Sequence, residues 1–246
     1  APWNSSLWTA DEMGKFITSY LGPTFQKENI PAKIIFGENP LWSVCMPQLK
    51  MVSSKDFTDT ILQNYPEIKS FNLIAAGHGY SLSPDIMPIQ VDKKYLKTPI
   101  MPFEMAEKAQ IPVWVTEISD VTPLDISIQD GLKWAVTFHN YLTKANVSAI
   151  VWWGGAMPTA NNESLIILDK NRKDFLLSKR YDILGNFSRY IPEKSTRIQV
   201  TQSNGVPLLI SAYKKDNKYT LVTINPSGQT IQTSLRLDGA DINGSL

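Results

Sequence analysis

From Thr9 the segment TADEMGKFITSYLGPTF places Met13, Phe16, Ile17, Tyr20 and Leu21 at helical spacing behind a Thr N-cap and an acidic first turn. The pattern predicts a helix that Gly22 and Pro23 end or kink. The short apolar run KIIF then stops at Gly37, Glu38 and Pro40, the pattern of a buried strand followed by a loop. The same phrase recurs along the chain. A helix near Lys55 to Tyr65 precedes the strand NLIAAGHGY, and a helix near Met101 to Ala109 precedes PVWVTEIS. A long amphipathic helix from about Ile126 to Lys144 precedes SAIVWWGG, and a last helix spans about Ser178 to Tyr190.

Buried strands separated by helices imply βα units and a parallel sheet, because parallel neighbours need crossover connections. Each strand carries polar or aromatic residues at its C-terminal end: Glu38, then His78 and Tyr80, then Glu117, then Trp153. Both α/β barrels and doubly wound sheets place their active sites at that end. After Pro192 the texture changes to the alternating runs TRIQVT, PLLISAYK, KYTLVTIN and TIQTSLRL, separated by turns such as SNG and KDN, which predicts an antiparallel β region.

Composition narrows the function classes. The 246 residues hold 24 Lys plus Arg against 23 Asp plus Glu, with no basic run that would track a phosphate backbone, so nucleic acid is not an indicated partner. The longest apolar stretch, VSAIVWWGGAM, is too short to span a bilayer, and no membrane association is expected. The single cysteine, Cys45, has no partner for an internal disulfide and no metal-binding neighbourhood, and reads as a small buried residue. Asn-x-Ser sequons at Asn4, Asn146, Asn162, Asn186 and Asn243 suit a secreted protein. The chain opens on APWNSSLW with no leader, and is expected to begin inside a longer protein.

The strand-end glutamates are the natural candidates for chemistry. Glycoside hydrolysis uses two carboxyl groups, one to protonate the leaving oxygen and one to attack carbon or activate water. Glu117 follows the apolar run Val113-Trp114-Val115-Thr116, and Glu38 follows Ile34-Ile35-Phe36 in the same way. Taken alone, a glutamate at a strand end is a solvated loop residue more often than a catalyst. His78 and Tyr80 flank Gly79 and alternate to the same side of an extended segment, so Tyr80 could donate its hydroxyl to a neighbouring carboxylate. His78 has the alternative of a purely structural role, and His139, inside a helix, reads as structural. Of Trp152 and Trp153, one should face the barrel core and one the surrounding helices; a sugar floor and simple packing both remain open.

The ordered set TADEMGKFITSYLGPTF, IIFGENP, IAAGHGY, VWVTEIS, VSAIVWW and LGNFSRYIPEKSTRI resembles glycoside hydrolase family 30, which includes glucosylceramidases, β-1,6-glucanases and xylanases. The resemblance implies a partial (β/α)8 TIM barrel, about strands five to eight, over residues 1–191, followed by an antiparallel β-sandwich side domain over 192–246. It also implies a retaining reaction with Glu117 as the nucleophile and no cofactor. Tyr80 corresponds to a tyrosine that hydrogen-bonds the nucleophile, His78 to its cleft neighbour, and Trp153 to the tryptophan at the sugar floor. Glu38 corresponds to a strand-five position and is expected to line the substrate cleft. The family's acid/base lies in an Asn-Glu-Pro motif that this chain lacks, and is expected upstream of Ala1. The segment alone is therefore expected to be inactive without the missing N-terminal barrel half, its main partner besides an oligo- or polysaccharide substrate.

In glucuronoxylan-specific members an arginine in the loop after the last strand grips the acidic side group; here that loop, GGAMPTANNESLI, holds none. The WWGG…NESLI…SKR phrasing is similar to the xylanase-type subfamily 7. A β-1,4-xylan-directed, secreted hydrolase is the leading expectation. A β-1,6-glucanase or other β-glycosidase, or a carbohydrate-binding barrel without catalysis, are the alternatives. A serine hydrolase finds no support, since no G-x-S-x-G occurs.

Overall fold

A computed structural model describes residues 6–43, 52–80, 100–158, 161–171, 173–203 and 205–237, with the backbone of 240–241. Cys45 and the sequons at Asn4 and Asn243 lie outside the described residues. The chain divides into two compact units, Ala1–Asn186 and Phe187–Leu246.

In the first unit, Thr9 caps α1 (Ala10–Phe16) through a reciprocal box: its hydroxyl accepts the Glu12 N–H at 3.1 Å, and Glu12 Oε2 accepts the Thr9 N–H at 2.8 Å. Gly22 and Pro23 do not end this helix. A π-helical turn over Ile17–Leu21 widens it, and α2 (Gly22–Lys27) continues with Pro23 in its first turn, where a missing N–H is tolerated. Of the apolar positions on this segment, Ile17 is buried, whereas Phe16 and Tyr20 are exposed and line up with Trp8 at ring separations of 5.5 and 6.3 Å.

Strands β1 (Ile34–Phe36), β2 (Leu73–His78), β3 (Val113–Ile118) and β4 (Ala149–Trp152) form one parallel sheet in the order of the sequence. Helices α3 (Ser54–Asn64), α4 (Glu104–Lys108) and α5 (Ile128–Thr143) alternate with them. The chain is thus α/β with a parallel sheet, as the repeated phrase predicted.

The register sorts the side chains. Ile34, Phe36, Ala75, Val113, Val115 and Trp152 are buried on one face. On that face α3 crowds Gly77, and Trp134 of α5 meets Trp152 edge-on at 4.5 Å. The opposite face carries Ile35, Ile74, Ala76, Trp114, Ala149 and Val151. It is apolar too, yet its outer members Ile35 and Val151 are 44% and 47% exposed. A parallel sheet apolar on both faces is one built to be covered on both.

A small sheet follows that the sequence pattern did not predict: β5 (Ala156–Met157), β6 (Ile166–Asp169) and β7 (Asp174–Leu177). These are short segments inside a stretch rich in turn residues, too brief to register as alternation. The last helix, α6 (Lys179–Tyr190), begins directly after it. In the second unit, β8 (Thr196–Ile198), β9 (Leu209–Lys215) and β10 (Lys218–Ile224) make an antiparallel sheet in the order β10-β9-β8, and β11 (Arg236–Leu237) pairs with β12 (Ala240–Asp241). No helix among the described residues is long and apolar enough to cross a membrane.

Candidate active site

The C-terminal ends of β1 to β4 bring the candidate residues to one rim. After β1 the backbone turns at Gly37, whose φ of +92° is a conformation side chains rarely adopt. A Cβ there would also meet Thr58 Oγ1 at 2.4 Å and the Ala76 carbonyl at 2.9 Å. The next turn is fixed by Asn39, whose carbonyl accepts from the Ser54 hydroxyl at 2.8 Å and from the His78 N–H at 3.0 Å. Glu38 is held between these two anchors.

After β2 the Gly79 N–H donates to the Glu117 carbonyl at 2.8 Å, and its own carbonyl accepts from the Tyr141 hydroxyl at 3.2 Å. Tyr141 is fully buried against Trp42, their rings 5.0 Å apart. Gly79 is thereby pinned from two sides, and His78 and Tyr80 on either side of it bring their rings within 5.8 Å, edge to face.

β3 supplies the centre. The sheet register slips between Gly77 and His78, and again between Val115 and Ile118, so that His78 stands opposite Glu117. Such bulges re-aim side chains at the end of a strand. The Tyr80 hydroxyl donates to Glu117 Oε1 in a short hydrogen bond. His78 Nε2 lies 3.6 Å from Glu117 Oε2 and 3.1 Å from Glu38 Oε2, and the Thr116 hydroxyl donates to the same Glu38 oxygen at 2.9 Å. The Glu117 side chain is 26% exposed and that of Glu38 41%. The first is set into the rim, and the second opens toward solvent.

Burial pushes the Tyr80 hydroxyl well above the usual tyrosine range. The hydrogen bond to Glu117 and the charges of Glu117 and Glu163 add to this, while a hydrogen bond with Ser119 opposes it. Tyr80 is therefore a fixed donor at any ordinary pH, locking one oxygen of Glu117 and leaving the other beside His78. A carboxylate so oriented can attack an electrophilic carbon or stabilise a developing positive charge.

At β4 the two tryptophans part. Trp152 turns into the helices and donates its Nε1–H to the Glu163 carbonyl at 2.7 Å. Trp153 is 50% exposed, and its N–H donates to the Ile118 carbonyl at 3.0 Å, one residue past Glu117. Asn162 and Ser164, in the connection after β4, are tied underneath by Arg180, whose side chain is fully buried. Its guanidinium donates to Asp130 Oδ2 and the Asp125 carbonyl, both at 2.6 Å, to Asn162 Oδ1 at 3.0 Å and to the Ser164 carbonyl at 3.1 Å. Lys133 extends the network, 2.6 Å from Asp120 and 3.1 Å from Asp130. The loops after β3 and β4 are thus bound to each other and to the starts of α5 and α6.

Glu38, His78, Tyr80 and Glu117, singled out one by one along the sequence, form one hydrogen-bonded constellation, and Trp153 joins the rim through its backbone. Sequence reasoning passed over Thr116, Ser119, Glu163 and Arg180. Only the position of the NES triplet and of SKR after the Trp-Trp pair could have flagged the last two. His139 is buried in α5, away from the constellation's hydrogen bonds. Asn162, noted as a sequon, is 1% exposed and fully engaged, whereas Asn146 and Asn186 are exposed. No group of three or more His, Cys, Asp or Glu among the described residues is arranged to hold a metal ion.

No family profile matches the chain. In sequence it is 28% identical over 142 residues to the glucuronoxylanase XynC of Bacillus subtilis (strain 168), an alignment covering 54% of this chain and 29% of that protein. In structure it is similar to the catalytic domain of a GH30 xylanase C from Talaromyces cellulolyticus, with a TM-score of 0.67, 18% identity, and coverage of 89% of this chain and 45% of that one. It is similar also to the glycoside hydrolase family 30 subfamily 8 xylanase Xyn30A of Clostridium acetobutylicum, with a TM-score of 0.63, 20% identity, and coverage of 99% and 56%. The endo-β-1,6-glucanase BT3312 shares the fold at a TM-score of 0.68 and 14% identity, over 96% of this chain and 50% of that one. The matches span from 29% to 56% of the length of these proteins. The likeness to the solved structures of glycoside hydrolase family 30 xylanases is one of fold, and the likeness in sequence is to a glucuronoxylanase.

Proposed function

We propose that this chain is the C-terminal part of a secreted, retaining β-glycoside hydrolase directed at β-1,4-xylan, with Glu117 as its nucleophile. The observation that carries the reading is the Glu117 carboxylate, set at a strand end with Tyr80 donating to one oxygen and His78 beside the other. Glu38, which accepts from Thr116 and faces His78, is a cleft-lining group that orients His78 and substrate hydroxyls. Trp153 offers an exposed flat face for a sugar ring.

The sheet fits strands five to eight of a (β/α)8 barrel. Its strands run in sequence order, α3 and α5 cover the same face, and the other face is apolar with open ends at Ile35 and Val151. The complementary half would supply strands one to four, cover that face and bring the acid/base. The exposed row of Trp8, Phe16 and Tyr20 is a second apolar surface suited to it. The antiparallel strands of the second unit fit one part of a β-sandwich side domain.

The complete enzyme is expected to cleave xylan in preference to β-1,6-glucan, and absence of turnover on xylan would overturn the substrate choice. A 2-fluoro β-xyloside with a good leaving group should arrest it as a covalent adduct, detected by mass spectrometry on the peptide containing Glu117. A label on any other residue would remove Glu117 from its role, and Glu117→Gln should lower kcat about a thousandfold or more. Expressed without the complementary half, the chain should show no turnover, because its nucleophile lacks a proton donor.

A further inference from the structure

The Tyr80 hydroxyl serves a second partner besides Glu117. A phenol carries one proton, and here it goes to Glu117 Oε1, so a further hydrogen bond at the Tyr80 oxygen is one that the oxygen accepts. The Ser119 hydroxyl makes that bond. It favours the ionised form of Tyr80, which is the effect of a donor and agrees with that direction. The two hydroxyls therefore form a chain in which Ser119 donates to Tyr80 and Tyr80 donates to Glu117.

Both ends of this chain are anchored. Ser119 follows Glu117 by two residues, the spacing that returns side chains to one side of an extended segment, and it is 1% exposed. Directly before it, the Ile118 carbonyl accepts the Trp153 N–H at 3.0 Å. Directly after it, Asp120 is fully buried, with Oδ1 accepting the Thr122 N–H at 2.8 Å and Oδ2 lying 2.6 Å from Lys133 Nζ. A hydroxyl enclosed in this way requires a protein partner, and Tyr80 is one whose backbone is set by the pinned Gly79.

We infer that Ser119 is a positioning residue for Glu117 that acts through Tyr80, an inference that rests on the reading of Glu117 as nucleophile. With its acceptor side filled by Ser119, the Tyr80 hydroxyl turns its proton to Glu117 Oε1 before substrate arrives. Oε1 stays tied, and Oε2, beside His78, is the oxygen left to react. Bonds in such a chain polarise one another, so the first link strengthens the second. Loss of one neutral hydrogen bond at one remove from the reacting group corresponds to a fall in kcat of about five- to tenfold.

The test is a double-mutant cycle in the complete enzyme, with kcat and KM measured on an undecorated β-1,4-xylo-oligosaccharide for wild type, Ser119→Ala, Tyr80→Phe and the double variant. Ser119→Ala should lower kcat by about five- to tenfold with KM unchanged. In the Tyr80→Phe background the same substitution should change kcat by less than about twofold, because the atom through which Ser119 acts is gone. A serine that merely supports the end of β3 would lower activity equally in both backgrounds. That result overturns the inference, as does an unchanged kcat in Ser119→Ala. If the complete enzyme leaves the oligosaccharide intact, the hydrolase reading itself fails. Tyrosine isotopically labelled at Cζ then reads the link directly: the Tyr80 Cζ resonance, identified by its loss in Tyr80→Phe, should move in Ser119→Ala, and an unmoved resonance overturns the inference.

Discussion

Replacing Arg180 with Met is the most demanding probe of how the site is held. The guanidinium is fully enclosed and donates to a carboxylate, a side-chain amide oxygen and two backbone carbonyls. Methionine fills most of the volume and supplies none of these donors. Asn162 Oδ1 keeps the Asp125 N–H at 2.7 Å, and Asp130 keeps Lys133 at 3.1 Å, so those two acceptors are only partly abandoned. The carbonyls of Asp125 and Ser164 lose the donor the guanidinium gave them. Breaking a buried charge pair by removing one member costs about 3–5 kcal/mol. The retained Lys133 lowers that figure, and the two carbonyls, at about 1–3 kcal/mol each, raise it again. A loss of about 4 kcal/mol follows, equivalent to roughly 8–16 °C in Tm for a unit of this size. Denaturant unfolding of the complete protein followed by tryptophan fluorescence, with Trp134 and Trp152 as reporters, measures it. The double variant Arg180→Met with Asp130→Leu removes the carboxylate left with Lys133 alone and should recover part of the loss. A single variant within about 1 kcal/mol of wild type would refute the reasoning, as would a double variant no more stable than the single one.

Tyr80→Phe deletes one hydrogen bond to a charged acceptor, about 1.5–3 kcal/mol, and should lower kcat about ten- to a hundredfold with little change in thermal stability; an unchanged kcat would mean that the bond does not orient Glu117. Gly37→Ala forces a side chain into a left-handed turn against Thr58 and should destabilise by about 1–3 kcal/mol or more, measured by denaturant unfolding. Lys133 is partly buried, which lowers its affinity for a proton, but its hydrogen bonds to Asp120 and Asp130 and their charges outweigh this and leave it raised. Its contribution is therefore complete below the ordinary lysine pKa of about 10.4 and is lost as pH climbs beyond it. Lys133→Met should flatten the alkaline limb of a stability–pH profile.

The parallel sheet was legible because runs such as IIF, NLIAAG and VWV have no plausible environment except a doubly covered strand. The strand-end residues were legible for a related reason, since a glutamate or histidine directly after such a run is delivered to the sheet's rim. Helix continuity through Gly22 and Pro23 was not: the rings of Tyr65 and Phe71 pack against the bare backbone at Gly14 and Gly22, a distant fit that the local pattern does not carry. Glu163 and Arg180 were equally hidden. Their partners are brought together by loops of different strands, and a single Glu in a polar loop looks the same in sequence whether it is fixed or free.

The enclosure of Asn162 bears on how this protein is made. Its side-chain amide donates to Thr122 Oγ1 at 3.1 Å while its oxygen accepts from Asp125 and Arg180, leaving no room for a sugar on that nitrogen. In a glycosylating secretory pathway the Asn162-Glu163-Ser164 triplet is thus a race: a glycan attached during synthesis would block the loop from closing, and a loop closed first would be invisible to the transferase. Ser164→Ala would remove the acceptor triplet, giving up the 3.3 Å hydrogen bond to the Met157 carbonyl, and so free folding from that competition. The gain would appear as yield of folded enzyme in hosts that glycosylate and as none in hosts that do not.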